Sequence, residues 1–233
     1  LAALLFRDRL DDLETLALAG FLAFDPALLY YSRFMRNDVL VAGFALVTLG
    51  LFVRLADTGD RRYLYAGTGT LALAVTTKET FVVILGLWVG ALALVLDQRL
   101  LAAQFRDEGR KPAPETYWRA LRSRVGEWAL PLALAAVEFL AIVVFFYAPR
   151  PDLYQAFADP TRLPSVVGAG SIGAWQKLWG TWVSGGHEHS YVDYLVTDVT
   201  RLAKTSLPLV LFGIGGFLVD RYGRREPRDV VTV

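Results

Sequence analysis

The sequence predicts an all-α membrane protein, a polytopic bundle of transmembrane helices. Three observations carry the prediction. Hydrophobic residues make up 55% of the 233, and mean hydropathy is +0.39, above the roughly 45–50% apolar content of a soluble domain. The apolar residues are gathered into blocks close to the roughly 17–25 residues that a spanning helix needs. The loops between blocks alternate between strongly and weakly basic.

Residues 10–24 form the first block, which at 1.5 Å per residue reaches only about 22 Å, a marginal span. Asp25-Pro26 reads as an N-cap followed by proline at the first helical position, so 27–34 restarts as a short helix near the interface. Residues 38–55 are a full span. Residues 62–77 are milder, but "LYAGTGTLALAV" supplies the small residues that let membrane helices approach closely. Residues 79–96, 128–147 and 205–219 complete about six spans in one transmembrane domain covering 1–233. Residues 98–127 are a basic linker. Residues 149–204 are a long loop that carries an interfacial helix near 172–183, where Trp175, Leu178, Trp179 and Trp182 fall at i, i+3, i+4 and i+7. Gln176, Lys177 and Thr181 take its other face.

Charge is nearly balanced, with 24 basic and 23 acidic residues, so no nucleic-acid affinity follows. The absence of cysteine removes disulfides, thiolate metal sites and cysteine nucleophiles. The opening "LAALLFR" reads as the tail of an apolar segment begun earlier, not as a signal peptide, so the chain is expected to be an N-terminally truncated fragment.

Alternation of the helices puts 7–12, 54–62, 98–126 and 220–229 on one side, with 16 of the 24 lysines and arginines. The positive-inside rule assigns that side to the cytoplasm and makes 98–127 a cytoplasmic linker. The most polar motifs, "YYSRFMRND", "TTKET" and "GGHEHSYVDYL", then share the extracytoplasmic side. Arg33, Arg36 and Lys78 are cations on the side the rule disfavours, which points to an external site for an anionic group.

Arg33 and Arg36, three apart, share a helix face, and their forks match phosphate oxygens. The plain structural reading is that they anchor the helix and pair with Asp38. Asp38 could be that partner, a cation ligand or a base. Lys78 and Glu79 sit at the tip of a tight helical hairpin, where Lys78 would add a point charge to the same phosphate and Glu79 would orient it. The alternative is a capped turn. His187, Glu188 and His189 contain both histidines of the chain. They suit a substrate-contacting loop and leave a divalent cation open, although no third ligand is near. "GAGSIG" at 168–173 matches a dinucleotide-binding pattern in letters only, without a βαβ unit, and reads better as a glycine hinge to the tryptophan helix. Glu138 is a carboxylate in mid-span, a default functional candidate or a hydrogen-bonded packing residue.

The blocks "FDPALLYYSRFMRNDVLVAGFAL", "ALAVTTKETFVVILG" and "GGHEHSYVDYL" resemble the polytopic GT-C glycosyltransferases of the protein-mannosyltransferase type (family 39), in an archaeal branch associated with flippase activity. The resemblance runs over nearly the whole chain and is most specific in P-x-x-x-x-Y-S-R-x-x-R-x-D and T-K-E. It implies transfer of a sugar, with inversion, from a dolichyl- or polyprenyl-phosphate carrier to an extracytoplasmic acceptor. Arg33, Arg36 and Lys78 would hold the donor phosphate, and His187, Glu188, His189 and Tyr191 would belong to a substrate loop. The general base would lie upstream of Leu1, with Asp38 and Glu79 as weak candidates here. The rival expectation is a transporter or flippase-associated protein that handles lipid-linked sugars without transferring them.

Overall fold

The computed structural model describes residues 2–34, 36–78, 81–105, 114–182 and 190–219, without the side chains of 94–105, 114–125, 181–182 and Tyr191. Among these residues the chain is helical throughout, with no strand.

After a single turn, α1 (Ala2–Leu5), the chain enters α2 (Asp12–Phe24) through a capping box. The Asp11 side chain accepts from the Glu14 N–H, and Glu14 accepts from the Asp11 N–H. The break expected at Asp25-Pro26 is present. Asp25 accepts from Leu28 N–H at 2.8 Å and opens α3 (Pro26–Arg33), with proline in the first turn. Together, however, Asp12–Arg33 form one 22-residue run long and apolar enough to cross a membrane, where a marginal span and a separate interfacial helix were expected.

The centre of the fold is the antiparallel pair α4 (Asn37–Thr58) and α5 (Arg61–Thr77). Gly59 makes the tight reversal at φ 67°, in the left-handed region that glycine enters without a Cβ penalty. Phe52 of α4 packs against Gly67 so closely that a Cβ there would lie 2.6 Å from the ring. The Thr48 hydroxyl donates to the Thr70 hydroxyl at 2.8 Å across the same interface. Small residues and paired hydroxyls are how helices associate where lipid offers no hydrophobic contrast. At 1.5 Å per residue, α4 separates the two ends of the bundle by about 33 Å.

α6 (Phe81–Phe105) leaves the start of α4, with Phe81 buried against Val41, Ala45 and Ala74 and edge-on to Trp88 at 5.7 Å. α7 (Pro114–Tyr147) runs parallel to α5, from the Arg61–Glu127 end back to the Lys78 end. The segment read as a basic linker is therefore helical over 98–105 and 114–127.

The segment expected to be a long loop is also mostly helix. It contains α8 (Arg150–Ala158), a 3₁₀ turn (Pro160–Arg162), α9 (Leu163–Trp182) and α10 (Tyr191–Thr205), before α11 (Leu207–Leu218). The glycine hinge is not there, because 168–173 lie inside α9. Gly170 is where α9 crosses α7, and a Cβ on it would come within 3.1 Å of Val144 Cα. Gly170 thus serves close packing.

Among the described residues, three helices are long and apolar enough to cross a membrane, Asp12–Arg33, Asn37–Thr58 and Gly126–Tyr147, or four if α10 and α11, bent by 97°, count as one broken span. This is fewer than the six expected. α5 has 17 residues and α11 only 12, and in α6 the residues described with side chains, Phe81–Ala93, are apolar. The result is a membrane-type helical bundle.

Candidate functional site

At one end of the bundle the start of α4, the end of α5 and the C-terminal half of α9 enclose a cleft of about 340 Å³. It is lined by Arg36, Asn37, Asp38, Thr77, Lys78 and Lys177. Arg36 immediately precedes α4 with an extended backbone, and Lys78 immediately follows α5. Each cation is thus held at a helix end, and the two ends are brought together by the antiparallel pairing below them. The anchoring is apolar: Val41 and Ala45 beneath Asp38, Ala74 beneath Lys78, and Phe81 beyond it form one buried cluster.

Asp38 organises the cations. One carboxylate oxygen accepts from Lys78 Nζ, the other from Arg36 Nε at 2.9 Å. The Arg36 guanidinium also lies 5.2 Å from the Tyr31 ring centroid, a cation–π contact back to α3. Asn37 Nδ2 donates to the Thr77 carbonyl at 3.4 Å, a second link between the two helix ends. From the far wall comes Lys177, with Nζ 5.7 Å from the Tyr147 ring centroid. Among the described residues that line the cleft, three are cations and one is a carboxylate. Arg36 remains 56% exposed and Lys78 32%, open enough for an anion to reach them.

The structure brings together three of the residues singled out in sequence, Arg36, Asp38 and Lys78, and adds Lys177, which the sequence reading placed on the polar face of the tryptophan helix without a role. Arg33 ends α3, is exposed and is not among the residues lining the cleft. Glu79, His187, Glu188 and His189 lie outside the described residues, and Tyr191 is described only as the first residue of α10. Among the described residues, no group of three or more His, Asp and Glu could hold a metal ion.

Trp175 and Trp179 stack with centroids 5.7 Å apart, 60% and 50% exposed. At 100° per residue they lie on the side of α9 opposite Lys177, so the tryptophans face outward while the lysine faces the cleft. Glu138 of α7 is remote from this cleft. Its Oε1 lies against Gly69 of α5, and its Oε2 is buried without a hydrogen-bond partner.

The other end of the bundle has a different chemistry. Arg54, almost wholly buried, donates to the carbonyls of Leu5 at 2.7 Å and Leu4 at 3.3 Å and pairs with Asp8, satisfying the end of α1. Arg9 pairs with Asp57, its Nε 3.0 Å from the carboxylate. These cations are committed to helix ends and carboxylates, whereas in the cleft one carboxylate, Asp38, takes both Arg36 and Lys78. The chain matches no protein-family model, no curated protein and no solved structure.

Proposed function

We propose that the chain belongs to a membrane glycosyltransferase that moves a sugar from a dolichyl- or polyprenyl-phosphate carrier to an extracytoplasmic acceptor. On this reading the cleft faces outward and binds the carrier phosphate. The single observation supporting it is that Arg36 and Lys78, both held by Asp38, line one cleft with Lys177 at one end of a bundle of apolar helices. The resemblance to family 39 GT-C proteins points the same way, and a count of six spans would require α5, α6 and α11 to cross as well.

The charge balance suits the chemistry. The acceptor oxygen attacks the anomeric carbon and loses its proton to a base. The carbon–oxygen bond to phosphate breaks with inversion, and the carrier phosphate leaves. A phosphodiester carrying one negative charge becomes a phosphomonoester carrying up to two. Preplaced cations stabilise charge that develops in the transition state more than charge already present in the substrate. Asp38 holds two of those cations, which makes it a positioning group and a poor base.

The test uses the full-length protein in sealed vesicles. Single cysteines at Asn37 and Thr58, both exposed and at opposite ends of α4, report which end faces outward through an impermeant maleimide. Binding of polyprenyl phosphate is then measured for Arg36→Ala, Lys78→Ala and Lys177→Ala. Each should weaken binding about tenfold or more, as expected for loss of a charge-assisted hydrogen bond of roughly 1.5–3 kcal/mol. Arg33→Ala should do less. Labelling of Asn37 from the cytoplasmic side, or unchanged binding in the Arg36 and Lys78 variants, would sink the proposal.

The rival reading is transport of a lipid-linked sugar without transfer. It is supported by the unpartnered buried oxygen of Glu138, a polar group between α5 and α7 away from the cleft. It requires carrier to cross in vesicles lacking acceptor, and Glu138→Ala to stop that crossing.

A further inference from the structure

α10 and α11 meet at 97° around Ser206, and the two arms have opposite character. α11 is apolar on all sides and solvent-facing in the isolated chain, with Leu211, Phe212 and Ile214 between 54% and 68% exposed. α10 is sharply divided. Val192, Leu195, Val196, Val199 and Leu202 fall at i, i+3, i+4, i+7 and i+10 and form one stripe, each of them 52–67% exposed. Asp193, Asp198, Arg201 and Lys204 lie off that stripe. A narrow apolar stripe with a charged remainder is the pattern of a helix that lies in an interface, not of one that crosses.

The elbow touches the bundle at α2. The Ser206 hydroxyl donates to Asp25 Oδ2 at 3.2 Å, and the rings of Phe212 and Phe21 approach to 6.3 Å. α11 therefore runs antiparallel to α2 from the level of Asp25. A carboxylate and a hydroxyl at the elbow belong at headgroup level, because an aspartate in hydrocarbon is costly. Two helices then measure the same depth independently. α2, between Asp11–Asp12 and Asp25, has 13 residues, and α11 has 12, so each reaches about 18–20 Å; on this placement α2 alone crosses, and α3, the remainder of the run Asp12–Arg33, continues beyond the hydrocarbon. Gly126–Tyr147 of α7 has 22 residues and reaches about 33 Å, close to the roughly 30 Å of a bilayer core plus its boundary.

We infer that α10 lies flat in the headgroup region of a locally thinned bilayer, its apolar stripe resting on acyl chains, and that the α2–α11 flank meets less hydrocarbon than the α7 flank. The occupant of the stripe is lipid. α11 sets the membrane normal, and the right angle at Ser206 turns α10 into the membrane plane. The stripe continues the lipid-facing surface of α11, and the charged side is left for headgroups and water. Bilayers accommodate a short apolar stretch by thinning around it at modest cost. This inference does not depend on what the cleft binds.

The chain contains no cysteine, so single spin labels can be placed cleanly in the whole protein. It is reconstituted into phosphatidylcholine–phosphatidylglycerol vesicles and labelled at Leu195, Val196, Thr197, Val199 and Arg201. Collisions with oxygen should peak at Leu195, Val196 and Val199, and collisions with an aqueous nickel chelate at Thr197 and Arg201. Depth along the stripe should stay constant. A label at Phe212, the middle of α11, should read shallower than one at Val137, the middle of the α7 span. Three results would overturn the inference: depth rising steadily along α10, which makes it part of a crossing segment; a stripe shielded from both colliders, which means that protein or a second copy covers it; or nickel collisions as high on the stripe as off it. Equal depths at Phe212 and Val137 would remove the thinned flank.

Discussion

The Lys78 ammonium bonds to the Asp38 carboxylate, tying the end of α5 to the first turn of α4. Because the other oxygen of Asp38 takes Arg36, one acidic side chain fixes the spacing of two cations forty-two residues apart in sequence.

Replacing Asp38 by Asn should therefore loosen the helix ends while leaving the cleft more positive. The expected cost is about 1 kcal/mol for a partly exposed ion pair, read from thermal unfolding in detergent. Binding of polyprenyl phosphate should persist. Retained binding together with a fall of several orders of magnitude in transfer rate would instead assign Asp38 to the chemistry.

Gly170→Val should separate α9 from α7, because its side chain meets the Val144 backbone at 3.1 Å from the first added atom. Overpacking of this kind costs about 1–3 kcal/mol. Phosphate binding by this variant should match that of Lys177→Ala, since Lys177 sits two turns along the same helix. Wild-type binding would show that the crossing does not position Lys177.

Thr48→Val removes a hydroxyl donor buried between α4 and α5. Hydrogen bonds between membrane helices average about 0.6 kcal/mol, so the loss in unfolding free energy should be well under that of Gly67→Leu, which drives a side chain into the Phe52 ring. Equal losses would mean that the hydroxyl pair, and not close approach, holds the hairpin.

Gly59→Ala places a Cβ on a residue at φ 67° and should cost about 1–2 kcal/mol. Gly59 lies at the opposite end of α4, so ligand binding at the cleft should not change once the protein is folded.

Asp159 accepts from the hydroxyl and the backbone N–H of Thr161, which hold its carboxyl below the ordinary value of 3.8. A depressed carboxyl stabilises the fold above its unfolded pKa, and that contribution fades as pH falls through the lowered value. Thr161→Val should move the Asp159 titration upward in an NMR pH series. An unmoved midpoint would show that the hydroxyl contributes nothing.

Local chemistry was the legible part of the sequence. Asp25-Pro26 announced a helix start because a capping carboxylate and a proline both suit only that position, and the runs ending at Thr58 and Tyr147 declared themselves by apolar length. What escaped was anything decided by partners. The glycines of 168–173 look the same in a hinge and in a helix crossing, and only Val144 on the neighbouring helix distinguishes them. Lys177 was invisible as a cleft residue because it enters from α9, ninety-nine positions after Lys78, although a cation on the polar side of a tryptophan stripe was a usable sign. The stripe from Val192 to Leu202 was there in plain helical spacing, hidden by reading 149–204 as a loop. Of the residues that the resemblance pointed to, those that are neighbours through a single hairpin came together, while Arg33, at the end of its own helix, stayed aside.

The two-helix hairpin that carries Asp38 and Lys78 also sets an order of assembly. Its ends are joined across a short stretch of chain, so the entropy of closing it is modest and the first two cations can come together as soon as α5 is made. Lys177 arrives only after α6, α7 and α9 have been threaded and docked. The cleft is thus built in two instalments, an early pair and a late third arm, and a nascent chain passes through a stage at which its cleft end is open on one side.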